Sequence, residues 1–160
     1  LFNGERRYNF AADRERGFRA ALEARGLQPE PGFICEDLMH EEAGYRRAHQ
    51  LLQLGAAMRP TAFLCSSLSQ AQGVRKACTE SGLVIGRDVA LIAHDDRLHD
   101  FGAETFDPPL TATQSSIGDA GRRVVELCVA MLAQPDAPLP QEVWPVDLVV
   151  RRSTMAAPAG

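Results

Sequence analysis

Short apolar runs rich in β-forming residues alternate along this chain with longer stretches whose apolar positions recur every three to four residues. Leu1-Phe2 ends in the turn pair Asn3-Gly4, and Asn9 then stands where a cap would open a helix over 9–25, stopped by Gly26. Phe33, Ile34 and Cys35 predict a short strand. A second helix is expected over 41–54, with Ala48, Leu51 and Leu52 on its buried face and Gly55 at its end. Pro60 introduces a strand over 61–65. Ser66 or Ser67 caps a third helix that carries Ala71, Val74, Ala77 and Cys78 at helical spacing and ends near Gly82. Residues 89–93 are continuously apolar, the pattern of a strand covered on both faces of a parallel sheet. Strands separated by helices imply β-α-β units, hence an α/β fold with right-handed crossovers.

The pattern changes after His94. A polar loop is expected over 97–107, and Pro108-Pro109 leads into the strand-like Leu110-Thr111-Ala112-Thr113. A long amphipathic helix follows over 116–133, with Ala120, Val124, Leu127, Cys128 and Met131 on one side. The Pro-rich stretch 135–140 is a stiff connector. A last strand over 143–150 leaves an Arg/Ala/Pro tail that is expected to fray. An apolar helix side without an obvious cover is costly in water, so it calls for a partner surface.

A chain of 160 residues can bury one core without needing a second domain. No apolar run approaches the roughly 20 residues that span a bilayer. The net charge of −4 repels phosphate backbones, and the arginines form no continuous basic face, so these residues are poor candidates for touching nucleic acid. Cys35, Cys65, Cys78 and Cys128 include no C-x-x-C pair and no histidine at metal spacing, which argues against a zinc site. They read as small hydrophobes in a reducing compartment, the cytoplasm being the simpler choice. No cofactor motif is present: no G-x-G-x-x-G follows the first strand, and there is no Walker loop. The opening residues have neither an initiator Met nor a signal pattern, which reads as a cut made inside a longer protein.

In an open parallel sheet, ligands bind beyond the carboxyl ends of the strands, near the reversal of strand order. Those ends are expected from Asn3 onward, at 36–39, at 66–68 and at 94–96, and polar residues gather at three of the four. Arg14 shares a stripe with Phe10, Phe18 and Leu22 at four-residue spacing. Two readings fit it: a packed stem with its head in water, or a guanidinium aimed into the crevice to hold hydroxyls or a carboxylate. Asp95-Asp96 directly follows the apolar strand, where one carboxylate can accept from a ligand and the other serves as turn former or cap. His94 reads first as a hydrogen-bonded packing residue. A hydrolase triad of Ser66 or Ser67 with His94 and Asp95 lacks the glycines of a nucleophile elbow.

These residues resemble the effector-binding domain of LacI/GalR-type transcriptional regulators over nearly the whole chain. Asp13-Arg14-Glu15-Arg16-Gly17-Phe18 is similar to that family's R-x-x-G-[FW] helix start. Arg59-Pro60-Thr61-Ala62-Phe63 through Ala71-Gln72-Gly73-Val74 resembles its PTA strand and helix. The most specific stretch runs through Glu80-Ser81-Gly82-Leu83 and on from Gly86-Arg87-Asp88 to His94-Asp95-Asp96. Pro108-Pro109-Leu110-Thr111 and Leu148-Val149-Val150-Arg151-Arg152-Ser153-Thr154 complete the order. The resemblance implies a periplasmic-binding-protein-like type I fold, in which this chain supplies mostly the C-terminal lobe. Residues 1–114 would form that lobe, 115–142 would cross to the N-terminal lobe and carry its helix, and 143–160 would return. A DNA-reading helix-turn-helix would lie upstream. A small-molecule effector and a second copy of the protein would be the other partners, with dimer contacts near loop 97–107.

Position by position, the resemblance makes Arg14 and Asp95 effector contacts and Met39 an apolar surface against the ligand. It puts Ser67 at a hydrogen-bonding position and Ser115 at the lobe junction. The family's common Asn-Asp pair is replaced here by Ser67-Leu68, and the aromatic before the acidic pair by His94. Fewer fixed polar groups point to a ligand less hydroxylated than a hexose. Two alternatives remain: a periplasmic solute-binding protein of the same fold, and a small α/β enzyme using Asp95 and His94.

Overall fold

The structure is a computed structural model that describes residues 1–30, 32–98, 100–138 and 140–154. Its centre is the apolar run expected over 89–93, which forms strand β4 (Ala90–Asp95). Leu91, Ala93 and Asp95 are buried on one face and their alternates half-buried on the other, so the strand is covered from both sides. β3 (Ala62–Cys65) and β5 (Thr111–Gln114) pair with it in parallel, with Leu64 opposite Ile92 and Ala93 opposite Ala112.

Among the described residues the sheet has six strands in the order β2-β1-β3-β4-β5-β6. β1 (Phe2–Asn3) lies between β2 (Cys35–Glu36) and β3, in parallel with both, so strand order reverses at β1. β6 (Asp147–Val149) closes the other edge, antiparallel to β5. Both edge strands are shorter than their apolar patterns suggested. Pairing in β2 starts at Cys35 rather than Phe33, and Val143 through Val146 stay outside β6.

The helices stop and start for local reasons. α1 (Asn9–Glu23) ends where Gly26 takes a φ of +68°, which lets the N–H of Leu27 reach back to the carbonyl of Leu22 at 3.0 Å. Asn9 is not its cap: its side chain accepts only from the N–H of Phe10, one residue on, and Tyr8 occupies the capping position. α3 (Leu68–Glu80) opens under Ser67, whose Oγ accepts from the N–H of Gln70, and ends at Gly82 with a φ of +70°. α2 (Glu41–Leu52) is capped by the His40 ring nitrogen, which accepts from Ala43 N.

α2 and α3 cover one face of the sheet and touch backbone to backbone. A Cβ on Gly44 would run into the carbonyl of Gln70, and one on Gly73 into the carbonyl of Glu41. Only a residue without a side chain allows that approach. Behind them Phe2, Phe63, Cys65, Val74, Cys78, Leu91 and Leu110 form a continuous core. Burial pushes the Cys65 thiol up to about 12 and the Cys78 thiol up to about 11. Cys35 is buried as well, while Cys128 is exposed.

Two stretches that looked polar or frayed are tied down. In the 97–107 loop, Ala103 and Phe106 are buried, around a single 3-10 turn at Ala103–Thr105. After β6, the turn Arg152–Thr154 buries Ser153 completely. The Ser153 hydroxyl donates to Leu91 O at 2.6 Å and accepts from Thr111 N at 2.8 Å, stitching the chain to β4 and β5. The expected fraying therefore does not hold for Arg151 to Thr154, and the rest of the tail, 155–160, lies outside the described residues.

α4 (Ile117–Ala133) stands apart. Ser116 caps it, accepting from Asp119 N, but not one of its residues is buried. Val124, Val125, Val129 and Leu132 all face outward, Leu132 at 82% exposure. Its polar tie is Arg123, which grips Glu142 through Nε and Nη2 and leaves Trp144 Nε1 to donate to the same carboxylate. No helix among the described residues is long and apolar enough to cross a membrane.

Two outcomes are expected. Gly73→Ala forces α2 and α3 apart and lowers stability by about 2 kcal/mol, read from the midpoint of urea unfolding. An unchanged midpoint would mean that the helices separate at no cost. By itself this chain associates through the α4 face, which sedimentation equilibrium would detect; a monodisperse monomer contradicts that expectation.

Candidate functional site

The carboxyl ends of β1, β3 and β4 meet where strand order reverses. Phe2 is registered with Cys65, so the next residues along the two strands, Asn3 and Ser66, emerge side by side. Both are buried. Asn3 Nδ2 donates to Ala11 O at 2.8 Å, and Ser66 Oγ donates to Asn3 Oδ1 at 3.1 Å. Arg14 leans over them from the second turn of α1, with Nη1 donating to Ser66 Oγ at 3.0 Å and a longer 3.4 Å contact to Asn3 Oδ1. Its guanidinium also lies 5.7 Å from the Phe10 ring centroid. Of the two readings open for Arg14, the geometry is that of a head drawn to the strand ends. Burial lowers its pKa, and the negative charge of Asp96 opposes that shift.

Asp95 and Asp96 differ in exposure and in partners. Asp95 is buried at 1% exposure and its carboxylate is taken up by its own chain. Oδ1 accepts from Arg97 N at 2.8 Å, and Oδ2 accepts from Ala103 N at 3.1 Å and from Gln114 Nε2 at 2.9 Å. It holds Arg97 in a left-handed turn (φ 55°) and ties the loop to the end of β5. Burial pushes its pKa up, but these three donors and the charge of Arg151 outweigh that and hold it below the ordinary carboxylate value. Asp96 is the accessible member of the pair, with its side chain 45% exposed. Its Oδ1 lies 3.2 Å from His94 Nε2.

His94 is a packed, hydrogen-bonded residue, as expected. Nδ1 is 2.9 Å from Thr113 Oγ1, and Nε2 is 3.2 Å from Ser115 Oγ. The pairing of Ser66 with His94 does not form, since the Ser66 hydroxyl is engaged with Arg14 and Asn3. Ser67 spends its hydroxyl twice, capping α3 and donating to Met39 O at 3.1 Å. Met39 is exposed, and a Cβ on Gly4 would touch both its sulfur and the Phe10 ring. Phe10 stacks on Tyr8 with centroids 5.6 Å apart, so Tyr8, Phe10 and Met39 make an apolar ledge beside Arg14.

Arg14, Met39 and Ser67 thus gather at the reversal point, and Ser115 sits beside Asp96 one strand pair away. A cavity of about 360 Å³ is lined by Asp96, Ser115, Ile117, Val124, Leu127 and Trp144, but by none of Arg14, Met39 and Ser67. The Asp95 carboxylate is engaged with Arg97, Ala103 and Gln114 rather than with Arg14. The sequence reading missed Asn3 and Ser66 as partners of Arg14, Asp96 as the accessible acid, and Phe10 as part of the ledge. The signal for the first two is the parallel register, which follows only once the pairing of β1 with β3 is known. Among the described residues no group of three or more His, Cys, Asp or Glu is placed to hold a metal ion.

The Asp95 network has a pH signature. A carboxylate whose folded pKa is depressed contributes stability that is complete above its unfolded value, about 3.9, and is lost as pH falls through the folded value. Asp95→Asn replaces one carboxylate oxygen by a donor, so that either Arg97 N or the buried Ala103 N together with Gln114 Nε2 loses its acceptor, and costs about 2 kcal/mol in urea unfolding near neutral pH. The gap from the parent protein narrows below about pH 4. A gap that stays constant into acid would show that the charge of Asp95 contributes nothing.

A family described as "Periplasmic binding protein-like domain" matches residues 1–154. The chain is 40% identical over 159 residues to the HTH-type transcriptional regulator AglR of Rhizobium meliloti (strain 1021), a match covering 99% of this chain and 44% of that regulator. It is 32% identical over 114 residues to the lactose operon repressor of Escherichia coli (strain K12), covering 71% of this chain and 30% of the repressor. A crystal structure of the lac repressor dimer bound to operator and the anti-inducer ONPF superposes with a TM-score of 0.82 at 29% identity, over 98% of this chain and 45% of the other. The chain therefore spans less than half the length of each of these three. The fold, the order of the strand ends and these likenesses agree, and the chain belongs to the periplasmic-binding-protein-like family in the form found in LacI-type transcriptional regulators.

Proposed function

We propose that this chain is the effector-sensing part of a LacI-type transcriptional regulator. A small molecule, sugar-like or a related metabolite, binds between this lobe and a second one and shifts their relative orientation. The protein acts as a cytoplasmic homodimer, reads DNA through a helix-turn-helix outside these residues, and does no chemistry on its ligand. The observation that carries this reading is the meeting of Arg14, Ser66, Met39 and Phe10 at the strand-order reversal, with Asp96 and Ser115 nearby. A guanidinium and an accessible carboxylate beside an apolar ledge suit a ring-shaped solute with a few polar groups on its rim.

The lobe division fits the same reading. Residues 1–114 form one lobe, 115–142 pass into the other, and from 143 the chain returns. Support comes from α4, none of whose residues is buried among the described residues, and from β6, which comes back beside β5. Asp95 serves the site indirectly, by fixing Gln114 next to Ser115 and by shaping the loop assigned to dimer contacts.

The Ser67 hydroxyl is already committed to the α3 cap and to Met39, which supports a ligand less hydroxylated than a hexose. Thermal-shift screening of hexoses, nucleosides and organic acids on the intact regulator tests this, and a clear preference for a simple hexose overturns it. With the effector found, Arg14→Ala and Asp96→Ala each weaken binding by roughly 2–4 kcal/mol in calorimetry, the scale for losing a charge-assisted contact in a desolvated site. Unchanged affinity in both variants removes the two residues from the site.

A further inference from the structure

We propose that Asn3 and Ser66 are positioning residues that clamp one nitrogen of Arg14 and thereby present its opposite edge to a pair of adjacent ligand oxygens; this rests on the ligand-sensing reading above. Nη1 carries two protons, and its two acceptors are Ser66 Oγ at 3.0 Å and Asn3 Oδ1 at 3.4 Å. Nε and Nη2 make no hydrogen bond among the described residues. Their parallel N–H bonds form the side of the guanidinium fork that matches a carboxylate or a vicinal diol in two-point contact.

The clamp is rigid because each of its members is itself held. Asn3 is fully buried at the end of β1, and its amide nitrogen is spent on Ala11 O in the first turn of α1. Ser66, at 4% exposure, donates its backbone N–H to Phe2 O and to the buried Gln70 side chain. Arg14 therefore registers against two strands and one helix at once. Its remaining freedom, rotation about the Nε–Cζ bond, is stopped by the two acceptors on Nη1. A guanidinium frozen before the ligand arrives loses less entropy on binding than one that must be ordered by it.

Nitrogen-15 NMR of the intact, ligand-free regulator with labelled arginine reads the clamp directly, and Arg14→Lys identifies the signals by deleting them. Distinct Nη1 and Nη2 resonances are expected for Arg14, marking slow rotation. Ser66→Ala should speed that rotation by about tenfold, the factor for losing one charge-assisted hydrogen bond, and merge the two lines. Ser66→Thr, which restores the hydroxyl, should keep them apart. Unaltered signals from the other arginines report that the fold is intact. A single averaged line in the parent protein, or two lines surviving in Ser66→Ala, overturns the proposal. Since no ligand is present, either result leaves the effector-binding reading to its own calorimetric test.

Discussion

The parallel pairing of β1 with β3 is the constraint on which the rest of this structure depends. It makes the point where strand order turns back, and it brings Asn3 and Ser66 out of two different β-α units side by side. Buried amide and hydroxyl groups at that place need partners, since an unpaired one costs about 1–3 kcal/mol. Each finds the other, and both find Arg14. A basic side chain on a mostly apolar helical stripe is thereby drawn to the strand ends. The site follows from satisfying buried polar groups at the one spot where a parallel sheet opens.

A second consequence concerns the two neighbouring aspartates, identical in chemistry and adjacent in sequence. Alternation along β4 sends successive side chains to opposite faces. Asp95 goes under the 97–103 loop, where it finds three donors, and Asp96, just past the strand, stays accessible beside Ser115. The same alternation puts His94 between Thr113 and Ser115 on the β5 side. One carboxylate is taken up by three donors of its own chain and the next stays accessible.

Much of this was legible in the residues. The two-sided burial of β4, the glycine stops at Gly26 and Gly82, the Ser67 cap and the uncovered face of α4 all follow from local patterns. So did the choice of Arg14 as the odd member of its stripe. What escaped were facts of pairing and packing. Neither Asn3 nor Ser66 is remarkable until the β1–β3 register sets them together, and no local pattern tells which member of Asp95-Asp96 finds donors. The buried Ser153 looked like part of a frayed tail because its acceptor, Leu91 O, lies 62 residues away. Asn9 looked like a cap by residue type, yet the helix begins one position earlier.

Finally, α4 sets a limit on what these residues can do alone. A helix of 17 residues with none buried is stable only when something covers it, and Arg123 with Glu142 provides only an exposed tie. Sensing in this account therefore needs the second lobe, whose closure would bring a facing wall to Arg14 and Asp96. The most direct measurement is a crystal structure of the intact regulator with its effector. Ligand density is expected against the Nε–Nη2 edge of Arg14, within reach of Asp96 and over the Phe10–Met39 ledge. Density instead in the cavity of about 450 Å³ at the opposite end of the strands, among Phe18, Leu22, Phe33 and Met58, would contradict it.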